Sequence, residues 1–355
     1  MIEKLFILKN DTIKDALKKL DMAETKVLLV INKNKKLLGT LSDGDIRRHI
    51  LHSGTLDDSL EKIYNKNPMK IPKKEYTEAA AKAIFYDKKI SLIPIVDEKD
   101  YIVDFVTWDE SLLGIRHSYY EKIDIPVIIM AGGKGSRLDP FTTIFPKPLI
   151  PVGEKPIIEL IIDEFKKYGI TSFFVSLNYK GEMIKSYFNS IEKDYNIKYL
   201  LEENFLGTAG SIKYAESEIK GTFIVSNCDI IVKADYADAY KFHKQNKGII
   251  TAISSIQHHT IPYGVIEFGK GGKVKCITEK PEYSFTINTG VYILEKECLK
   301  YIKKNKHIDM TTLISKLLAD NKKVLTYPVN ENDYIDIGQW EEYKKAAKKL
   351  NIFET

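Results

Sequence analysis

Residues 126–170 read PVIIMAGGKGSRLDPFTTIFPKPLIPVGEKPIIELIIDEFKKYGI. The run VIIM is apolar throughout, as befits a strand buried on both faces. It feeds a loop in which Gly132, Gly133 and Gly135 let main-chain N–H groups approach a polyphosphate closely. PIIELIIDEFKKYGI predicts a helix, with Pro156 near its start and Gly169 past its end. Ile158, Ile161, Ile162 and Phe165 fall on one face of it. The loop spacing, G-G-x-G, departs from the dinucleotide fingerprint G-x-G-x-x-G, and no G-K-[ST] closes it as in a Walker A loop. Its tail adds two cations. Arg137 follows Gly135 by two residues, and Lys147 is held between Pro146 and Pro148. Beside a phosphate-cradling loop, such a pair can neutralise charge on a transferred phosphoryl group.

Downstream, strands are expected at TSFFVSLN, IKYLLE, TFIVSNCD, IITAISSI, YGVIEF, VKCITEK, TGVYIL and VLTYPV, with helical segments between the first few. This order implies a mainly parallel, doubly wound sheet with helices on both faces, followed by a β-rich part. Asp229 ends the apolar strand TFIVSNC, at the edge where such sheets bind ligands. A carboxylate there suits Mg²⁺, which takes one or two carboxylates plus phosphate oxygens. Asp235 and Asp238 read as helix-start residues. Cys228 has no His nearby in sequence to activate it as a nucleophile, and His258 and His259 read as exposed in a polar loop.

The string GGKGSRLDPFTTIFPKP resembles the nucleotide loop of sugar-1-phosphate nucleotidyltransferases, and the resemblance runs from residue 126 to about 349. It implies a Rossmann-like nucleotidyltransferase domain over residues 126–355, in which Ala131, Gly132, Gly133, Gly135 and Ser136 bind the nucleotide. Ser136 stands where the family usually has Thr, and Cys228 where it commonly has Gly. Arg137, Lys147 and Lys280 would be catalytic, Asp229 and Asp336 would hold Mg²⁺, and Gly338 would make the turn after Asp336. NFLGTAGSI, with Gly207 and Thr208, lies against base and ribose in the family, and the LGTAG form looks more like guanylyltransferases than like the pyrimidine enzymes, which often place a Gln here. YGVIEF, TEKPE and INTGVYIL resemble the sugar-binding segments, giving Gly264, Glu279 and Asn288 to the sugar.

The first 118 residues read as two related halves, each helix, strand, turn, strand, helix, starting about 65 residues apart. In the first, TIKDALKKLDM follows a cap at Asp11 or Thr12, KVLLVIN and LLGTLS are strands, and SDGDIRRHIL opens a helix behind Ser42. In the second, YTEAAAKAIFYDKKI is a helix with Ala79, Ala83 and Tyr86 as packing positions, SLIPIVD and YIVDFVT are strands, and WDESLLG is a short helix. GTLSDGDIRR and SLIPIVDEKDYIVDFVTWDE resemble a pair of CBS motifs, which implies repeats at 1–60 and 61–118, a linker at 119–125, and a tandem (Bateman) module. Such modules often bind adenosine nucleotides, through a Ser or Thr and an Asp three residues on. Ser42 and Asp45 fit; Thr107 is followed instead by Glu110.

At 355 residues the chain is long enough for two or three domains. A net charge of +5 over that length gives no argument for nucleic acid. Three scattered cysteines, Cys228, Cys276 and Cys298, exclude a disulfide framework and fit a reducing cytoplasm. MIEKLFILKNDTIKDALKKL is too interrupted by charge to be a signal peptide, and no apolar run approaches a membrane span.

The expectation is a cytoplasmic, homo-oligomeric enzyme converting NTP and sugar 1-phosphate into NDP-sugar and pyrophosphate. CBS repeats joined to this catalytic domain resemble glucosamine-1-phosphate guanylyltransferases of bacterial nonulosonate (legionaminic acid) pathways, which implies GTP as the nucleotide. Mannose 1-phosphate is the rival acceptor, and UTP, dTTP or CTP the rival nucleotide. A non-catalytic nucleotide sensor is the alternative from a different class.

Overall fold

The computed structural model describes residues 2–23, 25–52, 54–88, 90–107, 120–338 and 343. The chain divides into two compact units, Met1–Tyr119 and Tyr120–Thr355. No helix among the described residues is long and apolar enough to cross a membrane.

In the N-terminal unit each half is a three-stranded sheet. Phe6–Leu8 runs parallel to Val27–Ile31, which pairs antiparallel with Leu37–Ser42. Ile71–Pro72, Leu92–Val96 and Ile102–Thr107 repeat that order. Each half thus begins one short strand earlier than its sequence pattern suggests. The halves share a core, since Leu92 and Val96 of the second pack with Phe6, Leu29, Ile31 and Leu37 of the first. Helix Ile13–Met22 starts at Thr12 and helix Asp43–Leu51 at Ser42, each with a reciprocal capping box to the third residue inside. The side chains of Ala79 and Tyr86, the WDESLLG segment and Glu110 lie outside the described residues.

The C-terminal unit is built on one seven-stranded sheet. From one edge to the other it runs Asn196–Leu201, Ser172–Leu177, Val127–Met130, Phe223–Asn227, Glu282–Leu294, Ile250–Thr260 and Val324–Val329. Only Glu282–Leu294 runs against the rest. From Val127–Met130 the chain winds outward through the next two strands, then returns to place Phe223–Asn227 on the other side of the first. The switch point lies between these two central strands, and a crevice at their carboxyl ends follows from it.

Helix Ile157–Lys166 begins at Pro156 and buries Ile157, Ile158, Ile161, Ile162 and Phe165. On the sheet, Ile128, Val225, Tyr292 and Leu294 pack with Leu313 and Leu317 of helix Met310–Ala319. Residues 120–125, expected within a linker, pack into this unit: Ile123 and Ile125 are buried, and Tyr120 meets the Tyr168 ring edge-on. Burying two isoleucines favours docking over a free tether.

Candidate active site

The glycine loop leaves Met130 at the switch point. Ala131 is buried and donates its N–H to the carbonyl of Ser176 on the neighbouring strand. Gly135 has φ +70°, a left-handed conformation that favours glycine. Packing requires it too, because a β-carbon there would stand 2.8 Å from Lys147 Cβ and 3.0 Å from Thr142 Cγ2. Nothing lies within 4 Å of the corresponding point on Gly133, so that side of the loop is open to a ligand. Ser136, on the surface, starts the short turn Ser136–Leu138 that carries Arg137.

Lys147 is 6% exposed, and its Nζ lies 2.6 Å from Asp229 Oδ2. Arg137 approaches the same oxygen at 3.9 Å from the surface. Asp229 follows Phe223–Asn227. Asp336 ends a short strand, Tyr334–Asp336, which pairs antiparallel with Ile230–Val232 so that Asp336 lies opposite Ile230. The Ile337 N–H donates to the Asp229 carbonyl, and Gly338 N–H to Asp336 Oδ1 at 2.6 Å. Gly338 marks the centre of the cluster. A β-carbon on it would stand 2.8 Å from Asp336 Oδ1, 3.1 Å from Asp229 Oδ2 and 3.3 Å from Lys147 Nζ. Two carboxylates 107 residues apart in sequence thus converge on one point beside the glycine loop. Hard oxygen donors in that number fit Mg²⁺, whose remaining positions go to phosphate and water. Among the described residues no group of three or more His, Cys, Asp or Glu side chains could hold a metal.

Cys228, beside Asp229, is buried, and burial together with the Asp229 charge pushes its thiol up to about 12. It is a thiol at neutral pH and no nucleophile.

Further out, the LGTAG segment is fastened to the start of helix Met310–Ala319. Thr208 N–H donates to Asp309 Oδ1 at 3.1 Å, and Met310 N–H to Thr208 Oγ1 at 2.9 Å. Gly207, at φ +79°, passes so close to Ile308 and Asp309 that a β-carbon would meet both at 2.7 Å. Thr208 therefore uses its polar groups within the fold. The structure also joins Gly264 and Glu279, since a β-carbon on Gly264 would stand 2.9 Å from Glu279 Oε2. Lys280 is exposed at φ +45°. Asn288 donates to the Tyr292 hydroxyl and accepts from Gly290 N–H. His258 and His259 lie in strand Ile250–Thr260, not in a loop. His258, its side chain 10% exposed, bonds Ser284 Oγ at 2.8 Å, and His259 stacks on Phe285.

Glu202 escaped the sequence reading. It follows strand Asn196–Leu201, is 6% exposed, and lies against the glycine loop, its Oε1 standing 2.9 Å from where a Gly132 β-carbon would be. The Ser176 hydroxyl donates to Oε1 and Leu206 N–H to Oε2. Among the described residues Glu202 has no ion pair. The available signal was a carboxylate directly after an apolar strand, the same signal that singled out Asp229.

The nucleotidyl transferase family model matches residues 126–351, and the CBS domain model matches residues 1–52. UTP–glucose-1-phosphate uridylyltransferase of Synechocystis is 31% identical over 241 residues, covering 62% of this chain and 62% of its own. Mannose-1-phosphate guanyltransferase of Saccharomyces cerevisiae is 32% identical over 222 residues, covering 60% and 61%. The chain thus spans about three-fifths of these relatives' length. Crystal structures of HddC from Yersinia pseudotuberculosis, one of them a complex with GMP-PN, superpose at TM-score 0.51 with 26% and 25% identity, covering 64% of this chain and 99% of theirs. A glycine loop and a carboxylate pair at the switch point of a mainly parallel sheet agree with the family match over residues 126–351, and the chain belongs to the nucleotidyl transferase family, with a CBS domain at its N-terminal end.

Proposed function

We propose that the C-terminal unit transfers a nucleotidyl group from a nucleoside triphosphate to a sugar 1-phosphate. The observation that carries this reading is the convergence of Lys147, Asp229 and Asp336 around Gly338, beside the glycine loop. A phosphate oxygen of the acceptor attacks the α-phosphorus, and the bond from that phosphorus to the bridging oxygen of the β-phosphate breaks. Pyrophosphate leaves with that electron pair. The attacking phosphate is already ionised near neutral pH, so no strong general base is required. Catalysis is then alignment plus charge neutralisation. Main-chain N–H groups of residues 132–136 hold the triphosphate, while that of Ala131, expected among them, is spent on the Ser176 carbonyl. Arg137 and Lys147 neutralise its charge, Glu279, Asn288 and Gly264 orient the sugar, and Lys280 aligns the acceptor phosphate. Asp229 and Asp336 would hold Mg²⁺, which when bound neutralises phosphate charge.

We read the nucleotide as GTP. A carboxylate offers about four acceptor positions, and two at Glu202 are taken within the protein. Guanine presents N1–H and an exocyclic NH₂ side by side on one edge, which suits a carboxylate. Uracil and thymine flank a single N–H with carbonyl oxygens, which a carboxylate repels. The guanyltransferase relatives and the GMP-PN complex of HddC support the same choice. Glucosamine 1-phosphate is the preferred acceptor, on the resemblance of the two-part architecture. Mannose 1-phosphate is the second reading, favoured by the mannose-1-phosphate guanyltransferases among the relatives.

The test is pyrophosphate release with Mg²⁺, GTP, UTP, dTTP or CTP, and the 1-phosphates of glucosamine, mannose, glucose and N-acetylglucosamine. Selective use of GTP with glucosamine 1-phosphate is expected. Selective use of a pyrimidine nucleotide would keep the phosphate site and remove guanine.

An adenine nucleotide at the N-terminal unit is a separate proposal. Asp45 already accepts from Ser42 N–H and Oγ, and it pairs with Arg48. Thr12 and Asp15 form the same box at a helix to which no ligand is assigned. Titration calorimetry with AMP or ATP decides it: heat lost in Asp45→Ala supports a site, and no heat from the wild type leaves the unit structural.

A further inference from the structure

Lys180 lies just beyond strand Ser172–Leu177, at φ +51°, an unfavourable backbone conformation for a side-chain-bearing residue. Its ammonium reaches across to the loop that separates Arg137 from Lys147. It donates to the carbonyls of Thr143 at 2.5 Å, Ile144 at 2.9 Å and Thr142 at 3.3 Å. These belong to the turn Phe141–Ile144, whose terminal carbonyls have no partner within so short a helix. A cation at that end satisfies them and matches the sign of their dipoles. Thr142 in turn is 2% exposed and packs against the glycine loop, its Cγ2 standing 3.0 Å from where a Gly135 β-carbon would be. Two residues before Lys180, Asn178 lies beside the other end of that loop: its Cβ stands 3.4 Å from where a Gly132 β-carbon would be, and its amide donates to the Glu202 carbonyl. The segment Asn178–Lys180 therefore lies along the phosphate loop, with Lys180 bonded to the turn that follows it and Asn178 beside Gly132.

We propose that Lys180 is a positioning residue for nucleotidyl transfer: by fastening the Phe141–Ile144 turn to the sheet, it sets where Arg137 and Lys147 stand on either side of that turn. This rests on the functional reading above. Lys180 need touch no substrate. All three ammonium N–H groups are spent on backbone carbonyls, so its effect reaches the phosphates only through the loop.

The experiment compares wild type, Lys180→Met and Lys180→Arg in two measurements. The first is steady-state pyrophosphate release with GTP and glucosamine 1-phosphate varied separately. The second is amide hydrogen exchange over residues 141–150. Lys180→Met is expected to lose at least tenfold in kcat/KM for the nucleotide, to keep KM for the sugar phosphate within about twofold, and to exchange faster at 141–150. Lys180→Arg, which retains a cation with N–H donors, is expected within about threefold of wild type in both measurements. Faster exchange with unchanged turnover would make the contact purely structural and overturn the proposal. Unchanged exchange would show that Lys180 does not hold the turn and would overturn it equally. A wild type that releases no pyrophosphate with any of the four nucleotides and four sugar 1-phosphates would sink the functional reading itself, a result distinct from either.

Discussion

Lys147 Nζ lies 2.6 Å from Asp229 Oδ2, although the two residues are 82 positions apart, and the side chains are only 7% and 17% exposed. Each neutralises the other while no substrate is bound. Removing one partner leaves a poorly solvated charge, which is costly, whereas removing both is tolerated better. A double-mutant cycle of Lys147→Met and Asp229→Asn, read by denaturant unfolding, should give a coupling of about 1–3 kcal/mol. Additive effects within about 0.3 kcal/mol would mean that the pair does not act as one.

Gly338 leaves the space on which both carboxylates converge. In Gly338→Ala the new methyl meets Asp336 Oδ1 at 2.8 Å and Asp229 Oδ2 at 3.1 Å. We expect Mg²⁺-dependent turnover to fall at least tenfold and the apparent metal requirement to rise, with the circular dichroism spectrum kept. Wild-type metal dependence would show that the two carboxylates do not share a ligand at this point.

How far the sequence carries this site differs from residue to residue. Arg137, Lys147 and Asp229 were legible because each sits at a fixed offset from an apolar strand or a glycine run. The convergence of Asp229 and Asp336 was available only through resemblance, since it depends on the pairing of Ile230–Val232 with Tyr334–Asp336, strands too short for periodicity to reveal. The same limit hid Phe6–Leu8 and Ile71–Pro72, which open the N-terminal halves. Glu202 stands at a strand end but beside a second carboxylate, Glu203, in LLEENF, and Lys180 looks like an ordinary surface charge in LNYKGE. Their roles come from neighbours on adjacent parallel strands and in a distant loop. His258 was misplaced because its strand continues past the apolar run, paired with Ser284 on a ribbon where alternation in hydropathy is weak.

Thr208 carries a stability prediction. Its hydroxyl accepts from Met310 N–H at the start of a helix, so Thr208→Val removes a cap interaction worth about 1 kcal/mol. Differential scanning calorimetry should report a fall in Tm of about 2–4 °C. An unchanged Tm would contradict the anchoring of the LGTAG segment seen here.

His243 sets a pH dependence. It is fully buried, with Nδ1 2.7 Å from Thr251 Oγ1 and Nε2 3.3 Å from Glu295 Oε1, and Lys244 holds the same carboxylate oxygen. Burial lowers its pKa below the ordinary 6.5, a shift that Glu295 only partly opposes. As pH falls below 6.5, the unfolded chain takes up a proton that the folded protein does not, so stability drops until the folded value is reached. Thermal unfolding should therefore show a larger loss between neutral and mildly acidic pH in the wild type than in His243→Asn. Equal losses would remove His243 as the cause.

The central claim is that Lys147, Asp229 and Asp336 form the site of nucleotidyl transfer. The most direct measurement is Mg²⁺-dependent pyrophosphate release by the wild type beside Asp229→Asn, with GTP and glucosamine 1-phosphate. The account predicts turnover in the wild type and a loss of at least a hundredfold in the variant, with the fold retained. Activity in Asp229→Asn within about twofold of wild type would contradict it.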